Sequence, residues 1–460
     1  MKLHVPPYIS PFNLEHSSVD LPTLAYLSRK NLEHNAEFIV NNPHISHRIQ
    51  KLVLTDEWWV SRRAHPHENN PFMLGMGFYK TVTQTFASVL KSAANLHTLI
   101  LCNVEMSLDF TRRVSEIPTL HTLELHLCHI PRTIRRKLLS DATFNCPQIS
   151  NLRIYMDSSF QETHSQWYSL LLCPRIRTLS VIQFGIGPFP APEELFWKQC
   201  RLHDLERLSL DNIDANDLVA LIKFLSRNNT SVRLTHFKMH MDWGVPDSEI
   251  MNLLIALETA PLEVLVLEGL AQAEFPIFER IVSLFPDLVA LTLVRRQNPN
   301  QHENKLAPWP HSSWEYASYL RGFKALRHFC WNFLTEYWDA TPTTLLAFEV
   351  DFASSSAITE NKSDSNQVDY DPNDEVPYFL DSHWMALPFA AYCTTLETFS
   401  LMDRTVEMVC RITRNPTSGA TALAPKYYPI HSSVPWNIQQ WNTTASHWPI
   451  LLLDQRSGPV

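Results

Sequence analysis

The chain has 460 residues, a formal net charge of −9 and 45% apolar residues. This is too apolar for global disorder, and the basic residues gather in no single stretch, which argues against an electrostatic nucleic-acid footprint. Glycine is scarce (9 residues against 31 prolines), so a glycine-rich phosphate loop has little to be built from and turns must rely on Pro, Asn and Asp.

In chain order, the first residues, Met1 to Tyr8 (MKLHVPPY), offer neither an apolar signal core nor a small-residue cleavage site. No window approaches the ~18 apolar residues of a membrane span. Residues 1–44 are expected to form an N-terminal helical cap. From 45 to 405 one pattern recurs eleven times: apolar, two variable, apolar, one variable, apolar. The clearest copies are Leu96–Leu101, Leu120–Leu125, Leu205–Leu210, Leu262–Leu267 and Leu288–Leu293. Looser copies end at Leu54, Ile154, Val181, Met239, Trp331 and Leu401. Between Leu101 and Leu293 successive copies are 24 to 29 residues apart. A fixed period in the twenties marks stacked repeats.

Each run is a strand, because its apolar residues alternate with period two. The intervals carry helical spacing at Thr81–Ala94, Ser107–Glu116, Pro131–Phe144, Gln161–Leu172, Pro192–His203, Asp217–Arg227, Asp247–Thr259 and Ala273–Phe285. Asp247 or Ser248 is placed to cap its own helix. Pro118, Pro147, Pro174 and Pro286 stand two residues before a strand run and Pro261 one residue before. Proline stops the helix and extends the residue before it, so it sets the strand register. Insertions are expected at 55–80 and at 351–377, the latter polar and acidic. Residues 406–460, with six prolines among aromatic residues, are expected to form an irregular C-terminal cap over an otherwise open end.

The run pattern, the helical intervals and the period resemble leucine-rich repeats of the longer, helix-backed kind. The resemblance implies an α/β leucine-rich-repeat solenoid, or horseshoe, with a parallel concave sheet and convex helices in a single elongated body. That family usually sets Asn or Cys at the ninth repeat position; here Cys128 fits, whereas Val104, Phe184, Ile213 and Leu270 stand in the equivalent places. A narrower resemblance rests on the prolines leading into the runs, on Trp309–Phe333 and on Asn41–Leu54. These are similar to fungal F-box-type proteins with divergent leucine-rich repeats. In that family the repeats recruit a substrate to a Skp–cullin ubiquitin ligase. The chain departs from it at the front, where residues 1–22 carry no LPxE-type motif followed by the helical F-box.

In such a repeat the variable strand positions face outward and line the concave surface. They include Thr98, Ile100, Cys102, Thr122, Asn151, Ser209, Val264, Val266, His328, Cys330 and Asn332. The partner-binding candidates among them are Glu124, His126, Arg153, Tyr155, Arg207, Asp211, His236, Lys238, His240 and Glu268. Val264 and Val266 form an apolar strip, either a sticky patch or a strip covered by a loop. Most outward side chains of such a face are simply solvated.

Chemistry finds no anchor. No GxSxG, GxxxxGK[ST] or HExxH motif is present. His236 and His240 would lie ~13 Å apart on a strand, too far to share a metal. His65 and His67 lack a third ligand. Asp369, Asp371 and Asn373 imitate a calcium loop, but Asp374 and Leu380 replace its Gly and Glu. The eight cysteines, scattered without a CxxC pair, read as buried thiols of a reducing compartment. Trp309, Trp314, Trp331 and Trp338 with Tyr316 and Tyr319 read as rings filling a gap where the repeat lengthens, with an aromatic recognition edge as the alternative.

The expectation is therefore a cytoplasmic or nuclear monomer that is not an enzyme. It needs no cofactor or metal and binds neither nucleic acid nor membrane. Its task is protein recognition, as the substrate-receptor part of an F-box-type ligase that holds a ubiquitination substrate and the Skp–cullin scaffold. The rivals are a stand-alone scaffold and an uncharacterised enzyme with its site in the C-terminal region.

Overall fold

In the computed structural model the described residues are 2–5, 21–56, 76–140, 145–157, 161–184, 194–200, 202–213, 215–227, 233–296, 309–311, 313–333, 382–402, 406–417 and 420–429. The chain divides into two compact units, Met1–Phe224 with Ser231–Arg233, and Leu225–Thr230 with Leu234–Val460. Each unit builds its own run of strands and helices.

All eleven runs are strands. In the first unit they are β2 (Lys51–Asp56), β3 (Thr98–Cys102), β4 (Thr122–His126), β5 (Asn151–Asp157), β6 (Thr178–Phe184) and β7 (Arg207–Asp211). They pair in parallel in sequence order. A further strand, β1 (Lys2–Val5), pairs in parallel with β2, Lys2 opposite Val53. The expected helical cap thus holds a strand ahead of its helix, Leu21–Asn41. β1 escaped the repeat pattern because four residues followed by Pro6 and Pro7 are too short to spell it.

The second unit holds β8 (His236–Val245), β9 (Val264–Leu270), β10 (Ala290–Arg295), β11 (His328–Trp331) and β12 (Thr398–Met402), parallel in order. Two antiparallel strands follow, β13 (Val406–Arg414) and β14 (Thr421–Pro429). The expected irregular cap is therefore a regular hairpin over its described part. Its cause is visible in the alternation of Met408, Cys410 and Ile412, all buried. Half-buried Pro425 and exposed Lys426 on β14 fit an edge strand protected against further pairing. The expected insertions shrink or drop from view: β2 runs to Asp56, a helix begins at Met76, and 351–377 lies outside the described residues.

The strand entries share one hydrogen-bond device. The carbonyl of His97 accepts from the amides of both His121 and Thr122, and His121 does the same for Ser150 and Asn151. The fork recurs at Gln50, Ser150 and Arg177 in the first unit, and at Thr235, Glu263, Val289 and Arg327 in the second. It follows a β-turn in which the first apolar residue of a run donates back three residues. Leu120 donates to Ile117, Ile149 to Cys146 and Leu288 to Phe285. Pro118, Pro147 and Pro286 occupy the second turn position, where a fixed φ near −65° is wanted. The residue after the proline ties the turn to the preceding repeat: Thr119 donates to the Leu96 carbonyl at 2.8 Å and Gln148 to the Ile117 carbonyl at 2.9 Å.

Helices close each repeat. Leu108–Ser115 is capped by Ser107, whose hydroxyl accepts from the Phe110 amide at 3.3 Å, and it buries Phe110 and Val114. Asp247 caps a different helix from the one expected. Its carboxylate accepts from the amides of Ala273 and Glu274, at the entry to Phe275–Leu284 one repeat later. Gln161–Leu172 is a 3₁₀ turn running into one α-helical turn. Its Gln166 accepts from the Cys128 amide and donates to the Tyr155 carbonyl. Cys128, the family-like ninth residue, is buried and donates to the Leu101 carbonyl at 3.2 Å, which ties strand to loop.

The eight cysteines are free thiols, seven of them buried. Burial pushes Cys146 and Cys200 up to about 12, so they are inert. Trp309 and Trp331 are buried, 5.1 Å apart, with Tyr316 against both. They fill the core, as expected for rings plugging a lengthened repeat. The Trp314 side chain and Trp338 lie outside what is described.

Candidate functional site

Alternation leaves the odd-numbered residues of β2 and β5 and the even-numbered residues of β3, β4 and β6 on the outward face of the first unit. Register then aligns them into rows. Lys51, Thr98, Thr122, Asn151, Thr178 and Arg207 form the first row, at the strand entries. Val53, Ile100, Glu124, Arg153, Ser180 and Ser209 form the second. Thr55, Cys102, His126, Tyr155, Ile182 and Asp211 form the third. Lys51 and Arg207 are exposed, and the rest of the first row is half-buried. The second row is half-buried except for Glu124. This face is open to solvent along its entry side and closes toward the third row, where Tyr155, Ile182 and Asp211 are buried.

Four of the candidates meet at the centre. The Arg153 guanidinium lies 3.2 Å from Glu124 Oε1, His126 Nε2 lies 3.4 Å from Glu124 Oε2, and the His126 and Tyr155 rings stack at 3.9 Å. Burial works against the Glu124 charge, but the His126 hydrogen bond and the charges of Arg153, His126 and Lys51 outweigh it and hold the carboxyl below its ordinary value. Glu124 is therefore an internal anion that orients Arg153, whose side chain stays 38% exposed. Asn151 extends the ladder along the first row, donating to Thr122 Oγ1 at 3.3 Å. Beneath this face, buried Asp217 accepts from Trp167 Nε1 at 3.2 Å and Gln183 Nε2 at 2.9 Å, anchoring the Gln161–Tyr168 turn.

The second unit differs. Lys238, His240 and Glu268 were expected on an open surface, and all three are buried. His240 Nδ1 and Glu268 Oε2 are 2.6 Å apart on directly paired residues of β8 and β9. Burial raises the cost of the Glu268 charge, yet the His240 hydrogen bond and the charges of His240, Lys238 and Arg296 keep its carboxyl below the usual carboxylate range. Val264, Val266 and Ala290 form an apolar cluster on the same face, so the strip is covered rather than sticky. His328 and Cys330 are buried too. Asn332 is fully buried and structural: it accepts from the Arg295 amide and Trp309 Nε1 and donates to the Arg295 carbonyl. β9 and β11 are buried along their whole length. A strand buried on both faces reads as a continuous apolar run, and Val264–Leu267 (VLVL) is one. His236 remains half-buried, with Nδ1 2.8 Å from Thr235 Oγ1.

The structure thus groups Glu124, His126, Arg153 and Tyr155, sets Arg207 and Asp211 two strands from Arg153, and buries Lys238, His240 and Glu268 in the second unit; Glu124, Tyr155 and Asp211, also expected on an open surface, are buried as well. Sequence reasoning passed over Lys51, Thr178 and Ser180, although aligning their runs with Thr98 and Ile100 points to them. Among the described residues no group of three or more His, Cys, Asp or Glu is placed to hold a metal ion, and no helix is long and apolar enough to cross a membrane. His65, His67 and the acidic residues near 370 lie outside the described residues. The chain matches no protein-family model and no curated protein by sequence.

Proposed function

We propose that this chain is a protein-recognition subunit that uses the outward sheet face of its first unit. Its repeats would be divergent leucine-rich repeats in a horseshoe with a parallel concave sheet. It acts by binding rather than catalysis, as a monomer in the cytoplasm or nucleus. Its role is the substrate receptor of an F-box-type Skp–cullin ubiquitin ligase. The observation that carries the reading is the set of rows on β2–β7: successive parallel strands present Thr, Asn, Ser, Arg and Lys in register on a face that remains accessible. Such a surface offers many spaced hydrogen-bonding groups on a rigid scaffold, which suits a macromolecular ligand better than a small one.

The test is affinity purification of the full chain from its own cells, followed by identification of what co-purifies. A Skp-type adaptor and a cullin recovered together with a further protein support the ligase role. Repeated recovery of that protein without the adaptor would leave a stand-alone scaffold and end the ligase reading. A Ser180→Trp variant places a bulky ring in the middle of the face, and its loss of the further protein, with retained folding, locates binding there.

A further inference from the structure

Charge on the first unit's outward face is sorted by depth. Its cations are Lys51 and Arg207, both exposed, and Arg153 with 38% of its side chain exposed. Among the described residues, the acidic groups on the outward positions of β2–β7 are Glu124 and Asp211, both buried, and Asp157 at the far end of β5. Arg177, at the entry to β6, lies 4.0 Å from Glu206 and shares its charge with it. A partner approaching the entry side therefore meets positive charge backed by neutral Thr, Asn and Ser, even though the whole chain carries −9.

We infer that the ligand on this face is an extended acidic peptide segment of a protein, laid across the strands from β2 to β7. This rests on the recognition reading above and specifies its partner. Spacing makes it specific. Lys51 stands three strand steps from Arg153 and Arg153 two from Arg207. At ~4.8 Å per step these gaps are about 14 and 10 Å, and an extended chain at ~3.3 Å per residue, with alternate side chains facing the sheet, spans them best in steps of about four residues, the slack of about 3 Å at the second gap being taken up by the long Arg207 side chain. The matching ligand carries carboxylates at about positions 1, 5 and 9, which share one face of the extended chain. Thr98, Thr122, Asn151, Thr178 and Ser180 lie between the cations and supply donors and acceptors to its backbone. Arg153 is held in place by Glu124 at 3.2 Å, so less side-chain freedom is lost when it engages a carboxylate. Nucleic acid is the poorer fit: three spaced cations neutralise few phosphates, and Tyr155 is buried against His126 rather than offered for base stacking.

The experiment measures binding of the full chain to labelled twelve-residue peptides by fluorescence anisotropy. One peptide carries Glu at positions 1, 5 and 9 in a Ser/Ala background, one carries the same three Glu contiguously, one has Lys in their place, and an oligothymidylate of ten residues serves as the nucleic-acid probe. The spaced Glu peptide should bind tightest and weaken with added salt. Lys51→Glu with Arg207→Glu should weaken it at least about tenfold, the order expected for losing charge-assisted contacts, whereas Lys91→Glu, on the helix Met76–Ser92, should not. Circular dichroism confirms folding of each variant, and Arg153→Gln replaces charge reversal at the site that pairs with Glu124. Equal binding of the Lys peptide, tighter binding of the oligothymidylate, or indifference to the double reversal would overturn the inference. If the captured partner is lost with Ser180→Trp but kept with the double reversal, the acidic-peptide inference fails while the recognition surface stands. If neither change affects capture, both fail.

Discussion

At the residue scale, backbone strain is concentrated where the strands exit. Asn103, Leu127 and Asn212 adopt φ of 58°, 53° and 50° at the same position of three repeats. Asn tolerates this left-handed conformation, whereas Leu meets its own carbonyl there at a cost of roughly 1–2 kcal/mol. Leu127→Asn should therefore stabilise the chain by about 1 kcal/mol in urea unfolding, with the slope unchanged. A loss of stability would mean that the Leu127 side chain contributes more packing than its half-buried position suggests. The His240–Glu268 pair is the opposite case, because both members are buried. Removing one leaves the other buried and uncompensated, and His240→Ala should cost roughly 3–5 kcal/mol. The pH dependence follows from the depressed carboxyls of Glu124 and Glu268. Their folded values lie below the unfolded ones, so the stability they contribute is fully present above the ordinary carboxylate range. It is lost as pH falls through their folded values. Acid unfolding should thus shift to higher pH in Glu124→Gln, read by circular dichroism; an unchanged acid transition would remove Glu124 from the account.

At the element scale, the strands of the two units differ in how far their outward faces are buried. Ser180 and Val266 occupy equivalent outward positions, the first half-buried and the second nine-tenths or more buried. Val266→Asp should destabilise by more than about 3 kcal/mol, since it buries an unpaired charge. Ser180→Asp should stay within about 0.5 kcal/mol, as accessible substitutions do. Thermal melts of both variants check this directly. Much of this was legible in the sequence. Proline placement marked where strands such as Leu120–Leu125 begin, and alternation assigned which of their residues face inward. The apolar choice at Val264 and Val266 already hinted at a covered face. Two kinds of feature were not legible. β1 is too short to spell the repeat, and it is held by its pairing with β2. The burial of Lys238 and His240 depends on how the strand face is packed over, and a period-two pattern reports only the face a residue belongs to. The pairing of His240 with Glu268 was within reach, because aligning the two runs puts them opposite each other.

At the scale of the whole molecule, one repeat grammar yields two kinds of surface. The first unit keeps polar rows accessible, and the second spends its outward positions on apolar contacts and a buried ion pair. The proposed recognition surface accordingly lies on the first unit. The most direct test installs a photo-crosslinking amino acid at Ser180 and, in a second variant, at Thr292, which lies buried at the equivalent row of β10. After irradiation in cells, the Ser180 variant should yield a discrete protein adduct and the Thr292 variant none. Adducts from Thr292 with none from Ser180 would contradict the account.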